Sequence, residues 1–421
     1  MTGKARIDTT VPALILKFVP DRYAHGRLGA VRSLGRLGVP VFALDERPRT
    51  PAGRSRYATA VSWQMEDEPS TASLERLRSL GERIGGRPVL ITTDDLGTLW
   101  VDQHRNQLSD RFRIPHRPEG LPLQLADKAQ LFHLCREVGI PTPDAGFPQS
   151  RADLEEYIDT HSAFPVVVKS MDPRILRQRP NADSVSIAKD PDALLAIYDE
   201  AEDFSKPNLM LQEYIPGGPE TVWMFNGYFD SQSECTFAAC GRKIRQRPPS
   251  TGATTLGMCE DNDVVEHLTR RFMKEIGYTG IVDMGYRYDA RDGNYKLLDV
   301  NPRMGATFRL FADQRGNDVV RAMYLDMTGQ NFAATEPDFG RKWLVEPLDL
   351  WSARASIAAG DLSSRTWLRS LRGVDETAWF ATDDLRPFVA MAAAFARDSY
   401  LSVRSRRVAR SVDRTAVSDG A

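Results

Sequence analysis

The stretch Lys296-Leu297-Leu298-Asp299-Val300-Asn301-Pro302-Arg303 reads as a short strand that stops at a proline. Side chains two residues apart on a strand share a face, so Asp299 and Asn301 project together. A carboxylate and an amide oxygen at that spacing form a hard, oxygen-only grip. Mg²⁺ accepts such a pair when phosphate oxygens complete its shell. Pro302 ends the ladder, and Arg303 sets a guanidinium beside the pair, where its fork matches phosphate oxygens. Asp, Asn and Pro also suit a plain strand end with a turn, so the motif needs partners elsewhere in the chain.

Working upstream, Leu211-Gln212-Glu213-Tyr214-Ile215-Pro216-Gly217-Gly218-Pro219-Glu220 is a strand running into a Pro-Gly-Gly loop. Backbone groups past the last paired position are free to read an adenine edge. Glu213 and Glu220 can accept from an exocyclic amine and a ribose hydroxyl, and they read equally as two solvated glutamates on a strand and its loop. Earlier still, Lys169 ends the apolar run Pro165-Val166-Val167-Val168, and Lys128 falls in the first turn of a helix. An ammonium at the end of an apolar strand is costly to bury unpaired, which calls for an anion, although either lysine also reads as a surface side chain that snorkels.

The rest of the chain supplies the setting. Residues 13–16, 41–44 and 88–92 read as strands and 29–37 and 74–84 as helices, a strand–helix–strand spacing that predicts a parallel sheet with crossover helices. No G-x-G-x-x-G turn accompanies it, so a dinucleotide site is disfavoured, and Asp45 reads as a loop carboxylate at a strand end. Prolines 115, 118 and 122 mark a domain boundary. Asp127 then caps a helix to 138, followed by a helix over 152–161, a strand over 165–169 and a helix over 191–202. From residue 209 the pattern turns to antiparallel strands, with Asn226-Gly227 as a predicted hairpin turn, a helix over 264–276, and strands 280–288 and 295–300 joined at Asp292-Gly293. Beyond Glu336 the sequence reads as helical pieces without a site-like cluster.

Composition excludes several classes. The chain has 421 residues, so two or three packed units are expected, and its net charge of −2 gives no global attraction to nucleic acid or an anionic membrane. Four cysteines without C-x-x-C spacing predict reduced thiols and a cytoplasmic setting, and six scattered histidines disfavour zinc. The apolar runs near residues 11–16 and 388–396 are too short for a signal segment or a membrane span. The basic run Arg404, Arg406, Arg407 and Arg410 reads as a solvated tail.

Taken in order, these pieces resemble the ATP-grasp superfamily of carboxylate–amine ligases over roughly residues 126–313. The resemblance implies an α/β fold with four parts. These are a parallel-sheet domain (1–122), a small ATP-grasp lobe (123–206), a large lobe with the metal and phosphate site (207–335), and a C-terminal helical region with its tail (336–421). It implies that Lys128 and Lys169 hold nucleotide phosphates, that Glu213, Tyr214, Ile215 and Glu220 surround adenosine, and that Asp299 and Asn301 bind Mg²⁺ or Mn²⁺. Arg303 would stabilise the transferring phosphoryl group, with Lys243 and Arg245 as further catalytic cations among Arg242, Lys243, Arg245 and Arg247. A small-residue loop, Ser250-Thr251-Gly252-Ala253-Thr254, follows them.

Two departures stand out. Family members carry a further metal ligand fourteen residues before the Asp299 position, and that residue here is Gly285. Asp283, about 6.6 Å further along the same face, is the expected substitute, with Asp289 second. The loop after Lys169 lacks glycine, so Arg174, Arg177 or Arg179 would hold phosphate there. The implied activity is ATP-dependent ligation of a carboxylate to an amine through an acyl phosphate. A nucleotide-binding regulator and a small-molecule kinase are the other readings. Arg242, Arg245 and Arg309 favour an anionic substrate such as an acidic amino acid. Small-molecule carboxylate and amine substrates are the expected partners, with no nucleic acid and no membrane, and a homo-oligomer is left open.

Overall fold

The computed structural model describes residues 7–46, 50–64, 69–160, 163–171, 185–248 and 252–398. Arg174, Arg177, Arg179, Ser250, Thr251 and the basic run from Arg404 lie outside the described residues.

Strands β1 (Ala13–Leu16), β2 (Val41–Asp45), β3 (Thr59–Ser62) and β4 (Val89–Thr92) form a parallel sheet in the order β3-β2-β1-β4. All four residues of β1 are buried, as befits a parallel strand covered on both faces. Helix α1 (His25–Gly35) begins four residues before the sequence predicted. Its first turns lie so close to the rest of the molecule that only glycine fits: a side-chain carbon on Gly26 would sit 2.8 Å from Ala306 Cα, and one on Gly29 would sit 2.9 Å from Phe308. Helix α2 (Thr71–Ile84) crosses over between β3 and β4, and α3 (Asp95–Gln103) leaves the carboxyl end of β4.

A smaller antiparallel sheet follows, β5 (Ala145–Gly146), β6 (Val166–Ser170), β7 (Val185–Ala188) and β8 (Leu209–Glu213), in the order β5-β8-β6-β7. The helices Arg151–Thr160 and Pro191–Ala201 bury Leu154, Leu194 and Tyr198 against it. β8 thus belongs to the small lobe, past the expected boundary at residue 206. The helix Lys128–Glu137, in contrast, packs Leu131, Leu134 and Cys135 into the core of the large sheet.

That large sheet has seven strands in the order β13-β12-β9-β10-β11-β14-β15. It comprises β9 (Val222–Phe229), β10 (Cys235–Arg247), β11 (Ala253–Cys259), β12 (Gly280–Asp289), β13 (Asn294–Asn301), β14 (Lys342–Leu344) and β15 (Val374–Thr377). The expected hairpin turn at Asn226-Gly227 is overturned, because β9 runs straight through both residues. Asn226 pairs with Ala239 and Asp283, and Gly227 gives its side-chain space to Phe225. The chain reverses instead at Asp230–Glu234, where the Asp230 carboxylate accepts from Gln232 and Glu234 N–H groups and Ser233 adopts φ +60. At Asp292-Gly293 the predicted turn is present, with Gly293 at φ +74.

The region after Glu336 is not purely helical. β14 and β15 extend the large sheet, and helix Glu346–Ala359 covers β10 and β11. No helix among the described residues is long and apolar enough to cross a membrane.

Candidate active site

One cleft of about 1100 Å³ lies where the three sheets meet. Lys128, Lys169, Glu213, Tyr214, Ile215, Lys243, Asp283, Asp299, Asn301 and Arg303 all line it, although they come from positions up to 175 residues apart. The N-terminal unit closes one end with Lys17, Asp21, His25, Asp94 and Asp95.

On the small-lobe side, Asp127 caps its helix by accepting from Gln130 N–H at 2.9 Å, which fixes Lys128 at the helix start. Lys128 Nζ reaches across to donate to Met171 O at 3.2 Å. Lys169 enters from β6, and its ammonium is pulled down to about 8, first by burial and then by Lys128, with Asp299 opposing. Two cations crowded together with one carboxylate opposite are a charge arrangement completed by a polyanion.

The β8 ladder ends at Glu213, opposite Val166, so the Tyr214 and Ile215 backbone passes beyond the last paired position along the cleft wall. The Glu213 carboxylate has another task. It accepts from Lys296 Nζ at 3.1 and 3.3 Å and from Arg291, within a cluster that also holds Asp289. Asp289 is thereby tied to Arg291 and Lys296, away from the metal end. Glu220 turns back on its own loop, accepting from Gly218 N–H at 3.0 Å, and does not line the cleft. Arg287 is a cleft residue that sequence reasoning missed. It shares a face of β12 with Asp283 and Gly285, donates to Gly217 O, and lies 6.0 Å from the Tyr214 ring. The period of two along 283, 285 and 287 was the signal that marks it.

At the other end, β12 and β13 set Asp283 opposite Asn301 and Gly285 opposite Asp299. The Asp299 carboxylate occupies the space that a side chain at 285 would fill, and Gly305 leaves the same kind of room for Asp283. Both carboxylates converge on one amide: Asn301 Nδ2 donates to Asp299 Oδ2 at 3.3 Å and to Asp283 Oδ2 at 3.4 Å. Asn226, fully buried, donates to Asp283 Oδ1 at 3.3 Å. Burial raises the Asp283 carboxyl to about 6 against the pull of Arg303, with Asp299 adding repulsion. Two acids crowded on one amide, one of them reluctant to ionise, fit a small divalent cation. No group of three His, Cys, Asp or Glu side chains among the described residues is placed to hold a metal ion, so phosphate oxygens would have to complete the shell.

The basic strand divides by face. Lys243 lines the cleft, donates to Gly252 O at 3.0 Å, and has its ammonium lowered by burial against the opposing pull of Asp299 and Asp283. Arg245 does not reach the cleft, which corrects its expected role. The register of β10 against β11 shifts between Lys243 and Arg245, so one extra residue turns Arg245 onto the Arg242 face. There it forms a buried bidentate pair with Asp349, at 2.8 and 3.0 Å, and tethers the C-terminal region. Arg242 pairs with Glu260, Arg247 stacks on Trp351, and Arg309 pairs with Asp318 and Glu376. Arg242, Arg245 and Arg309, expected to favour an anionic substrate, are thus each paired with a carboxylate of the protein. Lys17, lowered to about 8 chiefly by burial, is a cation that the N-terminal unit presents to the cleft, where it donates to Asp21 O at 3.0 Å. Asp45 is structural, buried against Arg27.

The N-terminal unit grips the turn after β13. Arg117 donates to Pro302 O at 3.3 Å, and Asp95 takes Arg303 through two hydrogen bonds, Nε at 2.6 Å and Nη2 at 3.2 Å. Arg303 Nη2 also donates to Asn301 Oδ1 at 3.1 Å, which links it to the acids.

No protein-family model matches the chain. Over 278 residues it is 22% identical to the D-aspartate ligase of Enterococcus faecium (strain Aus0004), a match covering 62% of this chain and 64% of that protein. Among solved structures it resembles the biotin carboxylase domain of the Hydrogenobacter thermophilus 2-oxoglutarate carboxylase, a dimer in complex with MgADP, ADP and bicarbonate. The TM-score is 0.58 at 15% identity, with 79% of this chain and 73% of that one covered. It also resembles the L-amino acid ligase of Bacillus licheniformis, with a TM-score of 0.55 at 14% identity over 76% of this chain and 75% of that one. The shared architecture is the ATP-grasp fold that the sequence resemblance implied.

Proposed function

We propose that this ATP-grasp protein activates a carboxylate with ATP and joins it to an amine. The observation that carries the reading is the convergence, in one cleft, of Lys128 and Lys169 with the Asp283, Asp299 and Asn301 oxygens and Arg303. These are the parts needed to hold a nucleoside triphosphate and to neutralise its transferring end.

In this reading Lys128 and Lys169 hold the phosphate chain, and the Tyr214 and Ile215 backbones border the adenine. Asp283, Asp299 and Asn301 would hold Mg²⁺ or Mn²⁺, which would supply charge neutralisation at the phosphates. A substrate carboxylate oxygen bonds to the γ-phosphorus while the bond to the β-phosphate oxygen breaks, releasing ADP and leaving an acyl phosphate. Arg303 and Lys243 offset the charge that develops on the transferring group. The amine nitrogen then attacks the acyl carbon, phosphate leaves, and the nitrogen loses a proton to solvent. Positioning and electrostatics carry such a reaction without a side-chain nucleophile. The likeness to a D-aspartate ligase supports a small amino acid as the activated substrate, with Lys17 available to a second carboxylate. Such a ligase draws on the ATP of the cytoplasm.

Two assays test it. Asn301→Ala should lower ADP release by at least about a hundredfold while leaving the fold intact, and a full-rate variant contradicts the assignment. Hydroxylamine added with ATP and the acid should yield a hydroxamate, because an acyl phosphate is trapped by it. A stable phosphorylated product without hydroxamate points to a kinase, and nucleotide binding without ADP release points to a regulator.

A further inference from the structure

Arg303 is spoken for in this structure. Its Nε and Nη2 face Asp95, Nη2 also serves Asn301, and Nη1 donates to Met304 O at 3.2 Å. A guanidinium has five N–H donors in one plane and two paired edges, Nε with Nη2 and Nη1 with Nη2, either of which matches a phosphoryl group. Asp95 occupies the Nε–Nη2 edge of Arg303, and Met304 O and Asn301 Oδ1 take the Nη1–Nη2 edge, so a γ-phosphate gains a charge-paired edge by displacing Asp95. Asp95 is itself well aimed. It is the first residue of α3, and its neighbour Asp94 is anchored by Phe18, Val19 and Gly97 N–H groups at 2.8, 2.9 and 2.6 Å. The N-terminal unit thus presents a carboxylate, at the start of an anchored helix, against the metal end of the cleft. Arg303 is 17% exposed and Asp95 53% exposed, so the pair sits at the cleft surface, where the partners can be exchanged at modest cost.

We propose that Asp95 is a positioning residue that competes with the terminal phosphoryl group of the nucleotide for Arg303. It keeps Arg303 parked on the N-terminal unit until a triphosphate displaces it. The inference rests on the nucleotide site described above and concerns its γ-position alone. Nothing in it requires a particular acid or amine.

The test is binding, with Mg·AMP-PNP and Mg·ADP as the probes, on the full chain and on Asp95→Asn. Removing the competing charge should tighten Mg·AMP-PNP at least fivefold and leave Mg·ADP within twofold, because only the former carries the phosphoryl group that Arg303 meets. Asp95→Glu should restore the wild-type ratio, and Asp95→Asn combined with Arg303→Met should lose the gain. Equal shifts for both nucleotides, no shift, or weaker Mg·AMP-PNP binding in Asp95→Asn overturn the proposal, since a merely structural contact gives one of those results. A wild-type chain that binds neither nucleotide overturns the nucleotide site itself, and this proposal with it. Failure of ligation in the amino-acid assays leaves the binding comparison intact and counts against the proposed reaction alone.

Discussion

Asp283 faces Asn301 directly across the β12–β13 pair, and its carboxylate lies within 3.4 Å of the Asn301 amide nitrogen. Asp283 lies two residues from Gly285 on the same strand face, and the space beside Gly285 is filled by the Asp299 carboxylate.

Asp283→Ala should raise the Mg²⁺ concentration needed for half-maximal nucleotide turnover by about tenfold or more, since it removes one of two carboxylates from the proposed cation site. Mg²⁺ titrations of ADP release, or Mn²⁺ binding followed by electron paramagnetic resonance, would show it. Unchanged dependence rules Asp283 out as a ligand.

Gly285→Ala should harm the metal end more than the fold. A methyl group there collides with the Asp299 carboxylate, which must rotate away. The expected outcome is a several-fold rise in the Mg²⁺ concentration needed for half-maximal rate, with a small change in thermal midpoint. An unaltered Mg²⁺ response contradicts the placement of Asp299.

Lys169 gives a pH signature. Burial lowers its ammonium to about 8 from 10.5, so near pH 8 about half of the nucleotide-free molecules carry a neutral amine. A triphosphate favours the charged form, so binding takes up about half a proton at that pH. Affinity should fall as pH rises through 8, because the free form has lost the proton that binding requires. Calorimetry in buffers of different ionisation enthalpy measures the uptake. Lys169→Met should abolish that share of it, and identical uptake in variant and wild type refutes the assignment.

Arg245→Ala separates structure from catalysis. It leaves Asp349 buried without its bidentate partner, a loss of roughly 3–5 kcal/mol in comparable buried pairs. Chemical denaturation should show the lost stability, while turnover per folded molecule stays within about twofold of wild type. A large fall in rate with stability unchanged would return Arg245 to the active site.

Much of the site was legible because a period of two on β13 fixes the face of Asp299 and Asn301 whatever surrounds the strand. The same rule misled at Lys243 and Arg245, where a single register shift, invisible in the residue pattern, separates two neighbours that alternation would pair. Glu213 and Glu220 were placed correctly along the chain but assigned roles that depend on tertiary partners. Lys296 and Arg291 claim the first, and its own loop claims the second. Asn226-Gly227 is a strong local turn signal defeated by sheet pairing and by Phe225. Asp95 could not be read at all, since its meaning comes from Arg303, 208 residues away. β14 and β15 escaped because Lys342-Trp343-Leu344 and Val374-Asp375-Glu376-Thr377 are short and lack the continuous apolar run that marks β1 and β4.

Ligation by this cleft is tested by ADP release measured against a panel of amino acids and small acids, singly and in pairs, with ATP and Mg²⁺. Release should depend on one acid and one amine together, in step with formation of an amide. ADP release that ignores the panel, or nucleotide binding with no release for any pair, would contradict ligation.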